Sequence, residues 1–142
     1  DVAQYILDRM GPLTTMKVQK LVYYSQAWAI VLTDRPIFTE RIEAWAYGPI
    51  VPSLYNAHRG FFRISSVSDG NPGRISNEHK AVIRSVVENY GPLNAQQLSD
   101  LTHSEKPWKK ARKGYAPLER CNNVIRPEWM LEYYGSLLPK TQ

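Results

Sequence analysis

Cysteine is almost absent from this sequence, since Cys121 is the single example among 142 residues. One thiol cannot form an internal disulfide, which favours an intracellular protein. The neighbours of Cys121 are Arg120, Asn122 and Asn123, and none of them can act as a general base. We therefore interpret the thiol as structural rather than nucleophilic.

Long apolar runs are also missing, because no stretch approaches the ~18 residues that a membrane span requires. The first residues show neither a basic region nor the apolar segment that follows it in a secretory signal. We therefore expect a cytoplasmic protein that makes no contact with membranes.

Histidine is scarce, and the three that occur are far apart in the sequence. His58, His79 and His103 are 21 and 24 residues apart, so no pair has the spacing of zinc ligands. The sequence also lacks a glycine-rich phosphate loop and a nucleophile elbow. These absences predict a protein with no metal, no cofactor and no enzymatic activity.

The overall composition is that of a globular protein. Hydrophobic residues make up 43% and charged residues 22% of the chain, close to the averages for folded domains. The length fits one domain, because domains cluster at ~100–150 residues. Neither an internal repeat nor a dividing linker is visible, so we predict a single domain over residues 1–142.

Helical periodicity dominates the pattern of apolar residues. It predicts helices, several of them bounded by glycine or proline, over residues 2–10, 14/15–32, 52–60, 76/77–90, 94–101, 107–113 and from 127 onward. The second helix is apolar nearly all round, which predicts a central position. Only Gln19 and Gln26 are expected on a solvent-exposed side of this helix. The last helix carries an apolar stripe formed by Trp129, Met130, Tyr133, Tyr134, Leu137 and Leu138.

Strand patterns are few and short. Residues 37–38 and 42–46 look extended, and the second stretch alternates apolar with other residues at period two. We predict that they form a small hairpin with a turn at 39–41, and that an edge strand lies near Ile64. The predicted fold is therefore mainly α (α+β), a compact helical domain around a central helix with a small antiparallel β-hairpin.

Lys17 is unusual because it shares a helical face with Leu21, Tyr24 and Trp28. A lysine on an apolar face must reach solvent or find a carboxylate. Glu43 is the candidate partner, and we predict that the two pair beside Trp45 and Tyr47. Such a lysine is either structural, as an ion pair or a snorkelling stem, or a charged anchor for a partner protein.

Aromatic residues are abundant, with four tryptophans and nine tyrosines. Most aromatics at helical spacing belong to a core, but tyrosine and tryptophan also dominate the energetics of protein interfaces. Three of them surround a Gly-Pro turn, and a fourth follows Pro107. The predicted partner-binding residues are Lys17, Tyr24, Glu43, Trp45, Tyr47, Tyr55 and Trp108.

Positive charge is in excess, with a formal net charge of +5 that lies mostly in the second half of the chain. Lys106, Lys109, Lys110 and Lys113 are the main contributors. A basic segment is usually a solvated face, but it also permits binding to nucleic acid. Helices at 77–90, 94–103 and 107–113 superficially resemble a helix-turn-helix unit. The alternative function is therefore a small nucleic-acid-binding regulator that uses residues 106–113.

Three blocks of sequence together resemble a known family. They are residues 14–28 (TTMKVQKLVYYSQAW), residues 42–52 (IEAWAYGPIVP), and residues 101–103 (LTH) with 107–108 (PW). They resemble the Panacea antitoxin domain, the family of SocA and the phage-associated GepA-like proteins. The similarity extends over roughly residues 2–134.

The resemblance implies a non-enzymatic antitoxin that neutralises a cognate toxin, commonly by direct protein contact. It also implies a possible second partner, because SocA-like members can act as proteolytic adaptors that deliver a toxin to the ClpXP protease. Some members carry an added DNA-binding domain, for which 142 residues leave no room, so we do not expect transcriptional autoregulation. The function we predict is stoichiometric binding that occludes the active surface of the toxin.

Overall fold

The fold is built from seven α-helices and four short strands within residues 1–139, which the computed structural model describes. The helices are α1 (Val2–Met10), α2 (Thr15–Thr33), α3 (Pro52–His58), α4 (Asn77–Tyr90), α5 (Ala95–Ser104), α6 (Lys106–Ala111) and α7 (Pro127–Ser136). The strands are β1 (Leu13–Thr14), β2 (Glu43–Trp45), β3 (Gly48–Ile50) and β4 (Arg63–Ile64). This arrangement confirms the predicted mainly α fold.

Helix α2 lies at the centre, as its apolar circumference predicted. It begins after Thr14, whose hydroxyl oxygen accepts a hydrogen bond from the backbone N–H of Lys17 at 3.2 Å. Helices α1, α4, α5 and α7 and strand β3 all pack against it. Consequently Val18, Leu21 and Tyr24 have no exposed surface.

The two glutamines of α2 are buried, so their predicted position on a wet side is wrong. The side-chain amide of Gln19 accepts from the backbone N–H of Val51 at 2.9 Å and donates to its carbonyl at 3.3 Å. Gln26 binds Phe38 in the same way and also accepts from the backbone N–H of Ile37. Each amide satisfies the backbone of a connecting segment, which is why a polar residue is stable there.

The β-hairpin lies later in the chain than the sequence predicted. Strands β2 and β3 pair antiparallel, with Trp45 opposite Gly48 and Glu43 opposite Ile50. Residues 37–38 contribute no strand, because Gln26 binds their backbone instead. Gly48 is the first residue of β3. Its φ of 120° lets the chain reverse after residues 46–47 and continue as β3.

The outer edge of β2 is covered by residues 123–125. The backbone N–H of Ala44 donates to Asn123 O at 2.9 Å, and that of Ile125 donates to Ile42 O at 2.8 Å. Strand β2 is therefore bonded on both sides, which fixes the position of the hairpin and leaves no free edge there.

Strands β1 and β4 form a second antiparallel pair in which Leu13 lies opposite Ile64, confirming the predicted edge strand. The apolar stripe of α7 is only partly as expected. Met130 and Tyr134 are buried. Leu137 and Leu138 are exposed because the helix ends at Ser136, so the stripe does not continue along the helical face.

Candidate functional site

The predicted Lys17–Glu43 ion pair does not form. Lys17 Nζ donates to the carbonyl oxygen of Gly91 at 2.7 Å, and burial lowers its pKa. Glu43 accepts from Arg41 Nε at 2.6 Å and from Trp45 Nε1 at 2.9 Å. Side chains of a helix point back toward its N-terminus, so Lys17 reaches the end of α4. Glu43 already accepts hydrogen bonds from Arg41 and Trp45, which lie two residues before and after it in the sequence.

Tyr24 belongs to the interior rather than to a surface. Its hydroxyl donates to Glu105 Oε1 at 2.7 Å, and the hydroxyl of Tyr134 donates to the same oxygen at 2.8 Å. Burial raises the pKa of the Glu105 carboxyl. Because Tyr24 has no exposed surface, it supports the fold and offers nothing for a partner to contact. Sequence reasoning missed Glu105, whose position before Pro107 carries no apolar periodicity.

Three side chains from α5, α6 and the residue after α6 hold the hairpin by its carbonyl groups. Arg112 Nη1 donates to Ala44 O at 3.0 Å, and Trp108 Nε1 donates to Trp45 O at 2.8 Å. Ser99 Oγ donates to Tyr47 O at 2.6 Å. We call Ser99, Trp108 and Arg112 the hairpin clamp. Three carbonyls of one short hairpin are thus bound by side chains from elsewhere in the chain.

Trp108 is itself held between two neighbours. His103 stacks on the indole with centroids 4.1 Å apart, and the guanidinium of Arg112 lies 5.1 Å from its centroid. Trp108 is 8% exposed and Arg112 is 4% exposed. Arg112 also donates to Ala116 O and Glu119 O, at 2.8 and 2.6 Å. Trp108, predicted to bind a partner, therefore positions the hairpin instead.

Lys20, which sequence reasoning passed over, is the buried lysine beneath the hairpin. It is fully buried, and its Nζ lies 3.4 Å from both Pro49 O and Met16 Sδ. Burial lowers its pKa to about 7. A Cβ on Gly48 would lie 2.5 Å from Lys20 Cε, so the glycine makes room for the lysine. The sequence pattern that could have identified Lys20 is its position four residues before Tyr24, because this places it on a helical face as apolar as that of Lys17.

Three of the predicted aromatic residues lie in or beside the hairpin: Trp45 ends β2, Tyr47 lies in the turn, and Tyr55 belongs to α3. Tyr47 is 63% exposed at the turn, while Trp45 and Tyr55 are half-buried. The ring centroids of Trp45 and Tyr55 lie 5.0 Å apart. The Trp45 indole is oriented by the hydrogen bond that its Nε1 donates to Glu43. We call Trp45, Tyr47 and Tyr55 the aromatic surface. Rings with polar ends suit protein recognition, and nothing in this geometry provides a nucleophile with its base.

The lysines of the basic segment are exposed, but they do not lie on a helix-turn-helix unit. Helices α5 and α6 are joined by Glu105 alone, and α6 has six residues. A helix-turn-helix needs a turn of about three or four residues before its recognition helix. Helices α5 and α6 therefore do not form a helix-turn-helix unit that carries these lysines, although Lys106, Lys109, Lys110 and Lys113 all face solvent.

Residues 1–139 contain neither a cluster of metal ligands nor a helix that could span a membrane. No three histidine, cysteine, aspartate or glutamate side chains come close enough together to hold a metal ion. Over the same residues, every helix is too short or too polar to cross a bilayer.

Comparison with known proteins gives two matches. Residues 18–109 match the family described as antitoxin SocA-like, Panacea domain. The chain is also similar to the antitoxin SocA of Caulobacter vibrioides (strain NA1000 / CB15N), with 26% identity over 161 aligned positions. That alignment covers 97% of this chain and 85% of the Caulobacter protein. No solved structure matches. The family match includes Lys20, the hairpin and Trp108.

Proposed function

The chain belongs to the SocA-like Panacea-domain antitoxin family, and from this premise we propose that it neutralises a cognate toxin by binding it directly. The contact we propose is the aromatic surface formed by Trp45, Tyr47 and Tyr55. The protein acts in the cytoplasm, without catalysis, as one partner of a stoichiometric complex.

The observation that carries this proposal is an exposed tyrosine on a rigid turn. Tyr47 leaves most of its side chain in solvent, yet its own carbonyl and that of Trp45 are bound by the hairpin clamp. Exposing a large aromatic group has no benefit for folding. Holding the backbone of the turn in place reduces the conformational entropy that is lost when a partner binds. Aromatic side chains on rigid supports are the usual centre of binding energy in protein interfaces.

Charge on this surface is internally balanced and does not favour nucleic acid. Glu43 is paired with Arg41 beside Trp45, and Lys20 lies beneath the turn without exposed surface. A standard interface takes ~800 Å² from each partner, about a tenth of the 8147 Å² that this chain exposes. An interface of that size would therefore include the hairpin together with the surface around it.

We propose occlusion as the mode of neutralisation, rather than delivery of the toxin to the ClpXP protease. Occlusion leaves the toxin intact, whereas proteolytic delivery removes it. In cells that survive because the antitoxin is present, the amount of toxin should therefore be the same with and without ClpX. If depletion of ClpX instead makes the toxin accumulate and abolishes protection, occlusion is wrong and the protein acts as a proteolytic adaptor.

The experiment that tests direct binding uses the toxin encoded beside this chain. Tyr47→Ala should weaken the purified complex by about 30-fold or more, the range of a hot-spot residue, and should abolish protection of growth. Phe62→Ala is the matched control, because Phe62 is also an exposed aromatic residue, 81% exposed, and belongs neither to the hairpin nor to its clamp. It should leave both measurements unchanged.

Two results would overturn this function. One is a toxin complex that survives the double substitution Tyr47→Ala and Tyr55→Ala without loss of affinity. The other is tight binding to duplex DNA, with a log–log salt slope of about −0.9 for each phosphate contact, together with no toxin complex at all.

A further inference from the structure

A second surface, separate from the aromatic surface, lies where α6 meets α7. The two helices enclose a hollow of about 150 Å³. Its walls are formed by Lys106, Lys110, Trp129, Glu132, Tyr133 and Ser136. Lys106 and Lys110 are four residues apart and so share one side of α6. Trp108 lies halfway between them in sequence and therefore points to the opposite side, toward the hairpin.

The rim of this hollow is basic, because Lys106 and Lys110 line it, whereas Lys109 and Lys113 lie in the same segment outside the lining. Lys106, Lys109, Lys110 and Lys113 are exposed, and within residues 1–139 none of them is within salt-bridge distance of a carboxylate. Lys110 Nζ lies 5.2 Å and the guanidinium of Arg126 5.8 Å from the ring centroid of Trp129. Positive charge is thus concentrated around an aromatic depression.

The floor of the hollow is suited to a side chain with apolar character. Trp129 and Tyr133 are half-buried on α7, one turn apart. Together with the aliphatic stems of Lys106 and Lys110 they form an apolar lining under a charged rim. Such a depression accepts one aromatic or long aliphatic group, while carboxylates beside that group reach the lysines.

We propose that the hollow between α6 and α7 is a docking site for an acidic segment of another protein, which inserts one apolar side chain between Lys106, Lys110 and Trp129. The acidic residues of the segment pair with the lysines of the rim. This site lies on the opposite side of α6 from the hairpin clamp, so its occupation does not depend on the toxin contact proposed above.

A peptide fits this hollow better than a nucleic acid does. The carboxylate of Glu132 and the hydroxyl oxygen of Ser136, which line the wall, can accept hydrogen bonds from backbone N–H groups. A phosphodiester backbone offers no such donors.

The test is an NMR titration of the full chain with a short synthetic peptide that has one phenylalanine flanked by glutamates. The probe signal is the indole N–H of Trp129, assigned by comparison with Trp129→Phe. The peptide should shift this signal. Replacing its phenylalanine with glycine, or its glutamates with glutamines, should each weaken binding by about tenfold or more.

A matched pair of charge reversals locates the site. Lys106→Glu with Lys110→Glu should weaken binding by about tenfold or more, because it reverses the rim. Lys80→Glu with Arg84→Glu is the control, since these cations are also four residues apart and lie beside an aromatic ring, that of Tyr5. The control should leave affinity unchanged although it alters net charge equally.

Three outcomes would overturn the docking site. The first is a peptide that leaves the Trp129 signal unmoved. The second is equal loss of affinity in both charge-reversed variants, which would reduce the effect to net charge. The third is stronger binding of duplex DNA than of the peptide at the same salt concentration, abolished by the Lys106 and Lys110 reversals, which would assign the surface to nucleic acid.

Discussion

Lys20 is the residue whose environment departs furthest from what its chemistry favours. An ammonium group is stable in water, yet this one is fully buried between Met16 and the carbonyl of Pro49. Desolvation disfavours the charged form and lowers the pKa to about 7. His103 lies near enough for Lys20 to contribute to lowering the histidine pKa, after the larger effect of burial. One residue therefore links the stability of the hairpin region to pH.

We predict that the free energy of unfolding rises as the pH increases from about 7 to 9. Over this range the unfolded chain keeps the proton of Lys20, with an ordinary pKa of 10.5, while the folded chain releases it. Lys20→Met should flatten this rise and stabilise the protein at pH 7 by about 1–3 kcal/mol. Urea unfolding at several pH values measures both effects.

The pH window avoids the titration of the buried tyrosines, and the rise that comes from the N-terminal ammonium, whose pKa burial lowers from 8.0, is left in place by Lys20→Met. Burial raises the pKa values of Tyr23, Tyr24 and Tyr134, so these lower the stability above their ordinary value of 10. Lys17→Met is the control, because Lys17 is less buried and its pKa is also lowered by desolvation. It should reduce the slope less than Lys20→Met does. A wild-type curve that is level between pH 7 and 9 would contradict the assignment.

A second prediction at this scale concerns Gly48. Its φ of 120° and the nearness of Lys20 Cε both oppose a side chain. Gly11 also has a positive φ, 82°, but a Cβ there meets nothing within 4 Å. Gly48→Ala should therefore destabilise the protein by about 1–3 kcal/mol more than Gly11→Ala does, the cost of overpacking. Equal thermal unfolding midpoints for the two variants would show that Lys20 does not constrain this position.

Among the structural elements, the hairpin is the one that depends most on side chains from elsewhere. Strands β2 and β3 have three residues each, and an isolated hairpin of this size is at best marginally stable in water. The hairpin clamp compensates by binding the carbonyls of Ala44, Trp45 and Tyr47. The aromatic surface is therefore only as rigid as the side chains behind it.

We predict that Trp108→Phe loosens the hairpin more than it destabilises the fold. It removes one hydrogen bond to Trp45 O, which costs about 0.5–1.5 kcal/mol. Amide hydrogen exchange in residues 43–50 should become faster. Trp28→Phe is the matched control, because it removes the hydrogen bond from Trp28 Nε1 to Tyr90 OH far from the hairpin. If both variants accelerate exchange in residues 43–50 equally, the clamp has no local effect.

The elements with local signals could be predicted from the sequence. Helices α1, α2 and α4 begin or end where a threonine, serine or glycine cap stands, and the capping box of Asn94 and Gln97 is present in α5. The hairpin could not be placed, because its turn depends on the φ of Gly48 and on contacts more than 50 residues away. Residues 37–38 looked like a strand because only the fold reveals that Gln26 binds them.

The candidate site could also be predicted only in part, because local patterns in the sequence do not show contacts between distant segments. Trp45 and Tyr55 lie ten residues apart in sequence, and the contact between their rings agrees with the predicted grouping of aromatic residues around this turn. The choice of Lys17 over Lys20 failed because helical periodicity marks both lysines and cannot say which one a later strand covers. Trp108 and Tyr24 were assigned to a surface, but their burial depends on packing between distant segments.

At the scale of the whole molecule, α2 is the central element against which α1, α4, α5, α7 and β3 pack. Leu21 lies at its centre with no exposed surface, whereas Leu32 on the same helix is 53% exposed. Leu21→Ala should lower the free energy of unfolding by about 2–5 kcal/mol, a large part of the ~5–15 kcal/mol typical of a domain. Leu32→Ala should change it by less than about 0.5 kcal/mol. Similar losses for the two variants, measured by urea unfolding, would contradict the central role of α2.

The closure of the core by α7 also has a consequence for protein synthesis. The hydroxyls of Tyr23 and Tyr134 are 2.9 Å apart in space but separated by 111 residues in sequence. At the ~5–20 residues per second of translation, roughly 6–22 s pass between the synthesis of these two tyrosines. During that interval the most apolar helix of the chain has no partner from α7. We therefore expect each newly made molecule to become protective only as its final helix leaves the ribosome, so that any interruption of translation produces chains that cannot neutralise.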